Sequence, residues 1–119
     1  MTDPTVTVPF KLPDLIGGLA EGKGLAKASP QELALEFVVK ETVFDVFKSG
    51  IKEVRIPRSE IEAVQLQQGL FRDKLRVRVK SIACIQDLPN SETGEVVLHI
   101  ARRNRAQAGD VVSVLGGRT

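Results

Sequence analysis

Few residues in this chain of 119 could do covalent or metal chemistry, and their neighbours decide how far each could go. His99 is the one histidine and Cys84 the one cysteine, and there is no Trp or Tyr. A general base needs a partnered acid or nucleophile within hydrogen-bond reach, and zinc needs two or three further ligands. With no second histidine to help, His99 reads as a structural or surface residue. Cys84 lies in the apolar run Ile82-Ala83-Cys84-Ile85 and reads as a small buried hydrophobe. A single cysteine also excludes an internal disulfide and a Cys-based zinc cage. Glu60 and Glu62 would make an acid/base pair only if burial drove their pKa values apart. Beside Arg58 in a surface turn, they read as solvated carboxylates. Gly17-Gly18-Leu19-Ala20-Glu21-Gly22-Lys23 opens like a phosphate-cradling loop, but Gly24 stands where Ser or Thr would hold magnesium. No buried strand precedes it and no helix follows, so nothing aims backbone donors at a phosphate. These residues assign no catalytic group, no metal site and no cofactor.

The basic residues carry more information. Lys74, Arg76, Arg78 and Lys80 project from one face at strand spacing, Arg72 extends the row, and only Asp73 opposes them. Such a row is either a solvated face that resists edge pairing or a stripe for an anionic partner. Leu70-Phe71 falls beside it at a hairpin tip. Apolar residues there imply fold-back onto the core, a partner subunit or a membrane interface, and fold-back is the first expectation. Arg102, Arg103 and Arg105 lie where a helix begins and its dipole disfavours cations. They imply contacts to carboxylates or carbonyls of a neighbouring strand, or a second anion site. Residues 1–50 hold 5 basic against 7 acidic groups and residues 51–119 hold 12 against 8, so the net charge of +2 is lopsided.

The elements that must position these groups follow from period. Residues 1–30 hold four prolines (Pro4, Pro9, Pro13, Pro30) and four glycines (Gly17, Gly18, Gly22, Gly24). They read as an extended arm with little regular structure, where Thr5 to Val8 pairs briefly at an edge until Pro9, and Asp14 to Leu19 adds one helical turn. Beyond it, Leu33-Leu35-Phe37-Val39, then Thr42 to Lys48, Val54-Ile56, Ile61-Val64-Leu66, Leu75-Val77-Val79 and Val96-Leu98-Ile100 follow strand spacing. Turns are expected at Ser49-Gly50, Pro57, Gln68-Gly69 and over Asp87 to Gly94. Ala108, Val111, Val112 and Leu115 then recur on one helical face. Asn104 and Gln107 stand at capping-box spacing, and Gly116-Gly117 is a stop. The chain therefore reads as an arm (1–30), one domain (31–116) and a short tail (117–119). The fold class is α+β and predominantly β: a strongly bent antiparallel sheet or partly open barrel of six or seven strands, capped by one C-terminal amphipathic helix. Leu35, Phe37, Phe44, Val46, Val54, Ile56, Ile61, Val64, Leu66, Leu75, Val77, Val79, Leu98, Ile100, Val112 and Leu115 are expected in its core.

With 42% hydrophobic and 27% charged residues the composition is that of a globular chain. No apolar run approaches the roughly 18–20 residues of a membrane span, and no signal-like segment opens the sequence. The net charge gives only a weak electrostatic footprint, and without Tyr or Trp for stacking, nucleic acid ranks low among partners.

The layout of strands closed by one helix resembles the pleckstrin-homology-like fold, particularly its bacterial versions. The resemblance is carried by Glu53-Val54-Arg55-Ile56-Pro57-Arg58-Ser59-Glu60-Ile61-Glu62-Ala63-Val64, similar to a junction between that family's middle strands, and by the hairpin Gly69-Leu70-Phe71-Arg72-Asp73-Lys74-Leu75. Ala101-Arg102-Arg103-Asn104-Arg105 is similar to the basic lead into its closing helix. The resemblance covers residues 31–115. The tryptophan that many members carry in that helix is missing. The hairpin matched to the phosphoinositide-binding one, around Lys40-Glu41-Thr42-Val43, carries Glu41 and Asp45 instead of a basic cluster. The resemblance implies a cytoplasmic, non-catalytic interaction module serving protein association or self-assembly, with β-augmentation as a natural mode. Peripheral binding to anionic lipid headgroups through Arg72, Lys74, Arg76 and Arg78 with Leu70-Phe71 inserted is the second reading. A small-molecule-binding or hydrolytic enzyme, needing a pocket on His99 and carboxylates, is the third.

Overall fold

A computed structural model describes residues 5–15, 20–41, 46–47, 50–86, 88 and 94–116. The strands are β1 (Val6–Leu15), β2 (Ala20–Ala28), β3 (Glu32–Glu41), β4 (Val46–Phe47), β5 (Lys52–Pro57), β6 (Ile61–Gln67), β7 (Arg72–Val79) and β8 (Glu95–Ala101), followed by helix α1 (Arg105–Val114). All pairings are antiparallel. β4 and β5 share one flank of β3, and the sheet then runs β3-β2-β1-β8-β7-β6. No pairing among the described residues joins β6 back to β4 or β5, so the barrel is partly open. Helix α1 packs against β1 and β2 and also against β6, which requires the sheet to bend around it. This is the bent antiparallel sheet with one closing helix that the alternation predicts.

Every described residue of the expected core is buried. Phe44 and Val46 lie outside what is described at side-chain level, as do the expected turn residues Ser49, Asp87 and Pro89 to Thr93. In the helix, Ala108, Val111, Val112 and Leu115 are fully buried, and Gly116 ends it at φ 76°. The capping box does not form. The chain turns through a 3-10 segment, Arg102–Asn104, and Asn104 enters at φ −103°, ψ 14°, without a side-chain cap. Packing of the apolar stripe, rather than the cap, holds the helix. Cys84 is half-buried, not fully buried, because Ile82–Ile85 forms a 3-10 turn that directs Ile85 inward and leaves Ile82 exposed.

The larger correction concerns residues 1–30. Their proline and glycine content predicts little regular structure, yet β1 and β2 form the centre of the sheet. Val8, Phe10, Leu12, Ala20, Ala26 and Ala28 enter the common core. Residues 16–19 of the expected helical turn lie outside the described residues, and Asp14 and Leu15 are in β1. Pro9 and Pro13 face outward at the parity of Lys11. The β1–β8 ladder is reduced to the single pairing Lys11↔His99, and a sparse ladder is where two missing N–H groups do least harm. Gly24 is there for close approach: a Cβ would overlap the Glu36 carbonyl oxygen and lie 2.8 Å from the Phe37 Cα. The first hairpin of the chain is thus β1–β2, not the segment around Lys40-Glu41-Thr42-Val43.

Candidate functional site

On β7, Arg72, Lys74, Arg76 and Arg78 all lie on the outer face, as their alternation requires, while Lys80 follows the end of the strand. The face is divided. Arg76 donates to Glu95 Oε1 and to Gln67 Oε1, both at 2.8 Å, and Arg78 lies 3.9 Å from Glu95. Elsewhere on the outer surface Lys27 pairs with Glu36 at 2.9 Å, and Arg55 pairs with Glu53 and Glu32. Arg72 and Lys74 have no acidic partner among the described residues.

These two unneutralised cations are joined by others on the strands that the proline and glycine content conceals. Lys74 is in register with His99, His99 with Lys11, and Lys11 with Lys23. Strands lie about 4.8 Å apart, so this row of three lysines and a histidine crosses the face in about 14 Å. Lys11 and Lys23 are like charges directly opposite one another, an arrangement that destabilises a sheet. The nearest counter-charge is Glu21 on β2, 3.9 Å from the Lys23 ammonium.

Beside this row the face opens into a groove of about 360 Å³. It lies over the β1–β8 seam, where the prolines thin the ladder, and Lys11, Lys23, Phe71, Arg72, His99 and Arg103 contribute to its walls. No carboxylate is among the described residues that line it. Leu70 is 82% and Phe71 91% exposed, so the hairpin tip is not folded back onto the core.

The tip stands out because polar groups hold it. Asp73, at inward parity with Leu75 and Val77, is 0% exposed. Its carboxylate accepts Arg105 Nε at 2.6 Å and Nη2 at 2.9 Å, and the Gly69 N–H at 3.1 Å. Arg105 holds the Asp73 carboxyl below its ordinary range, helped by the Gly69 N–H and opposed by burial. Arg102 donates to the Leu70 carbonyl at 2.8 Å, and Arg105 reaches the Gly69 carbonyl at 3.5 Å. The three arginines therefore separate: Arg102 and Arg105 brace the β6–β7 hairpin, and Arg103 alone faces the groove.

The remaining candidates are not gathered here. Gly22, Lys23 and Gly24 lie within β2, so no loop-to-helix cradle surrounds that lysine. Glu60 sits in the turn Arg58–Glu60 and Glu62 on β6, neither of them at the groove. Cys84 donates to the Ser81 carbonyl at 3.0 Å, and burial pushes its thiol pKa up. No group of three His, Cys, Asp or Glu among the described residues is placed to hold a metal ion. No described helix is long and apolar enough to cross a membrane. Compared with protein-family models, curated proteins and solved structures, the chain matches none.

Proposed function

We propose that the protein is a non-catalytic interaction module on a pleckstrin-homology-like frame that docks peripherally on anionic membranes. The observation that carries this reading is the braced tip, with Leu70 and Phe71 82% and 91% exposed beside cations that lack acidic partners. Burying a Leu or Phe side chain is worth about 1.5–3 kcal/mol. A Lys or Arg near an anionic surface adds about 1 kcal/mol, and Arg72, Lys74 and Arg103 lie near the tip. Together these suit reversible, salt-sensitive attachment at the cytoplasmic face of a membrane.

Vesicle sedimentation tests the reading. The protein should bind phosphatidylserine-containing vesicles, release them at high salt, and ignore pure phosphatidylcholine. Replacing Leu70 and Phe71 by Ser should weaken binding at least tenfold while leaving the unfolding free energy within about 0.5 kcal/mol, since both side chains are exposed. Absence of salt-sensitive binding, or indifference to the tip, would sink the membrane role. A second reading, association between proteins, draws on exposed Ile51 and on the outer flanks of β5 and β6, which no described strand covers. A dimeric molar mass, lost on breaking those edges, would favour it.

A further inference from the structure

We infer that the groove over the β1–β8 seam is a discrete site for one small phosphate monoester, with its phosphate on the cationic row and an apolar body against Phe71. The inference extends the reading of this face as anion-binding, but does not require the anion to belong to a lipid. Its basis is the selective distribution of partners. Arg76, Lys27 and Arg55 each bond a glutamate on the outer face at 2.8–2.9 Å, whereas Lys23 has Glu21 only at 3.9 Å and Lys11 has no acidic partner among the described residues. Lys11 and Lys23 stand directly opposite one another in register and line the groove together with His99, while Lys74, opposite His99, lies beside it. Arg72 and Arg103 add guanidinium groups nearby, and neither has an acidic partner among the described residues. A dianion in their midst converts mutual repulsion into several charge-assisted bonds, the strongest class of hydrogen bond.

Size and lining define the rest of the ligand. At about 360 Å³ the groove is at the small end of ligand sites and takes one compact molecule. The exposed Phe71 ring and Pro9 are among the lining residues and suit an aromatic or branched aliphatic body. The seam beneath is where the β1–β8 ladder is reduced to one pairing, and Pro9, which has no N–H to donate, lines the groove above it.

Phenyl phosphate and inorganic phosphate serve as probes, with the imidazole resonances of His99, the one histidine, as reporter. Phenyl phosphate should shift them saturably at one equivalent and bind more tightly than inorganic phosphate. Lys11→Gln and Lys23→Gln should each weaken it about tenfold, the loss of one charge-assisted bond. Phe71→Ala should remove the preference over inorganic phosphate, and Lys52→Gln, an exposed cation outside the groove, should leave affinity unchanged. Far-UV circular dichroism of each variant confirms folding. An unsaturable shift, or equal losses in Lys52→Gln and Lys11→Gln, would overturn the site in favour of diffuse electrostatics. Vesicle binding with no His99 shift from phenyl phosphate would leave the membrane reading standing and remove the site. A saturable phenyl phosphate response without vesicle binding would do the reverse.

Discussion

Replacing Asp73 by Asn isolates the polar tie under the hairpin tip. Asp73 is 0% exposed and accepts three hydrogen bonds, two from Arg105 and one from Gly69. Asn retains one acceptor oxygen but turns the other into an NH2 that faces guanidinium donors. A hydrogen bond to a charged group is worth about 1.5–3 kcal/mol, and breaking a fully buried ion pair costs about 3–5 kcal/mol. The Arg105 side chain is 32% exposed, so water can solvate the released guanidinium and the lower range applies. We expect a loss of about 2 kcal/mol, which lowers the urea midpoint by about 1 M for a chain of this size. The pH dependence fixes the sign. Because the Arg105 bonds and the Gly69 N–H lower the folded-state pKa of Asp73, its contribution is complete above the unfolded value of about 4. It is lost as pH falls through the lower folded value. The gap between wild type and Asp73→Asn in urea unfolding should therefore be constant near neutrality and close in acid. Coincident midpoints at pH 7, or a gap that persists once the carboxyl is protonated, would refute the reasoning.

Two further outcomes follow from close packing and burial. Gly24→Ala should cost about 3 kcal/mol or more, because its Cβ meets the backbone of β3, whereas Gly109→Ala, with open space around it, should stabilise α1 by up to about 1 kcal/mol. Thermal unfolding of the pair checks this, and a tolerated Gly24→Ala would show that β2 and β3 do not approach as described. Burial raises the Cys84 thiol above its ordinary value, so alkylation by iodoacetamide at pH 8 should run severalfold slower in the folded protein than in urea. Equal rates would place the thiol in solvent.

Alternation makes β3, β5, β6, β7 and β8 legible, because each buries one face and solvates the other. The stripe Ala108-Val111-Val112-Leu115 does the same for α1. β1 and β2 are hidden by the residues usually taken as strand breakers. Pro9 and Pro13 are harmless at a seam with one pairing, and Gly24 is needed where two backbones close up, but both conditions depend on partners distant in sequence. Losing those strands also loses Lys11 and Lys23, and with them half of the cationic row. Asp73 is a different case. Its parity with Leu75, Val77 and Val79 marks it as inward-facing, so alternation alone implies a buried carboxylate in need of a cation. That cation, Arg105, lies 32 residues away, and only the folding of β7 against the start of α1 brings the two together.

The polar tie also explains how an apolar tip can stay exposed. A hairpin ending in Leu-Phe would ordinarily gain by collapsing onto the nearest apolar surface. Here the Gly69 N–H and the Gly69 and Leu70 carbonyls are held by Asp73, Arg105 and Arg102, so the backbone direction is set independently of the side chains. Moving the tip backbone would break the Gly69 N–H bond to a buried carboxylate and the Arg102 bond to the Leu70 carbonyl, a cost comparable to the gain from burying two apolar side chains. Arg105 and Arg102 sit where α1 begins, and α1 is locked by four fully buried residues. The tip is thus tied to the start of a helix that the core holds in place. The charges on the sheet follow the same division of labour. Glutamates bond Arg76, Lys27 and Arg55 at 2.8–2.9 Å, while among the described residues the cations nearest the tip and seam have only Glu21, 3.9 Å from Lys23. A face that served solubility alone would have no reason to intersperse the two signs in one region and segregate them in the other. Segregation beside a braced apolar tip is what an anionic contact surface requires.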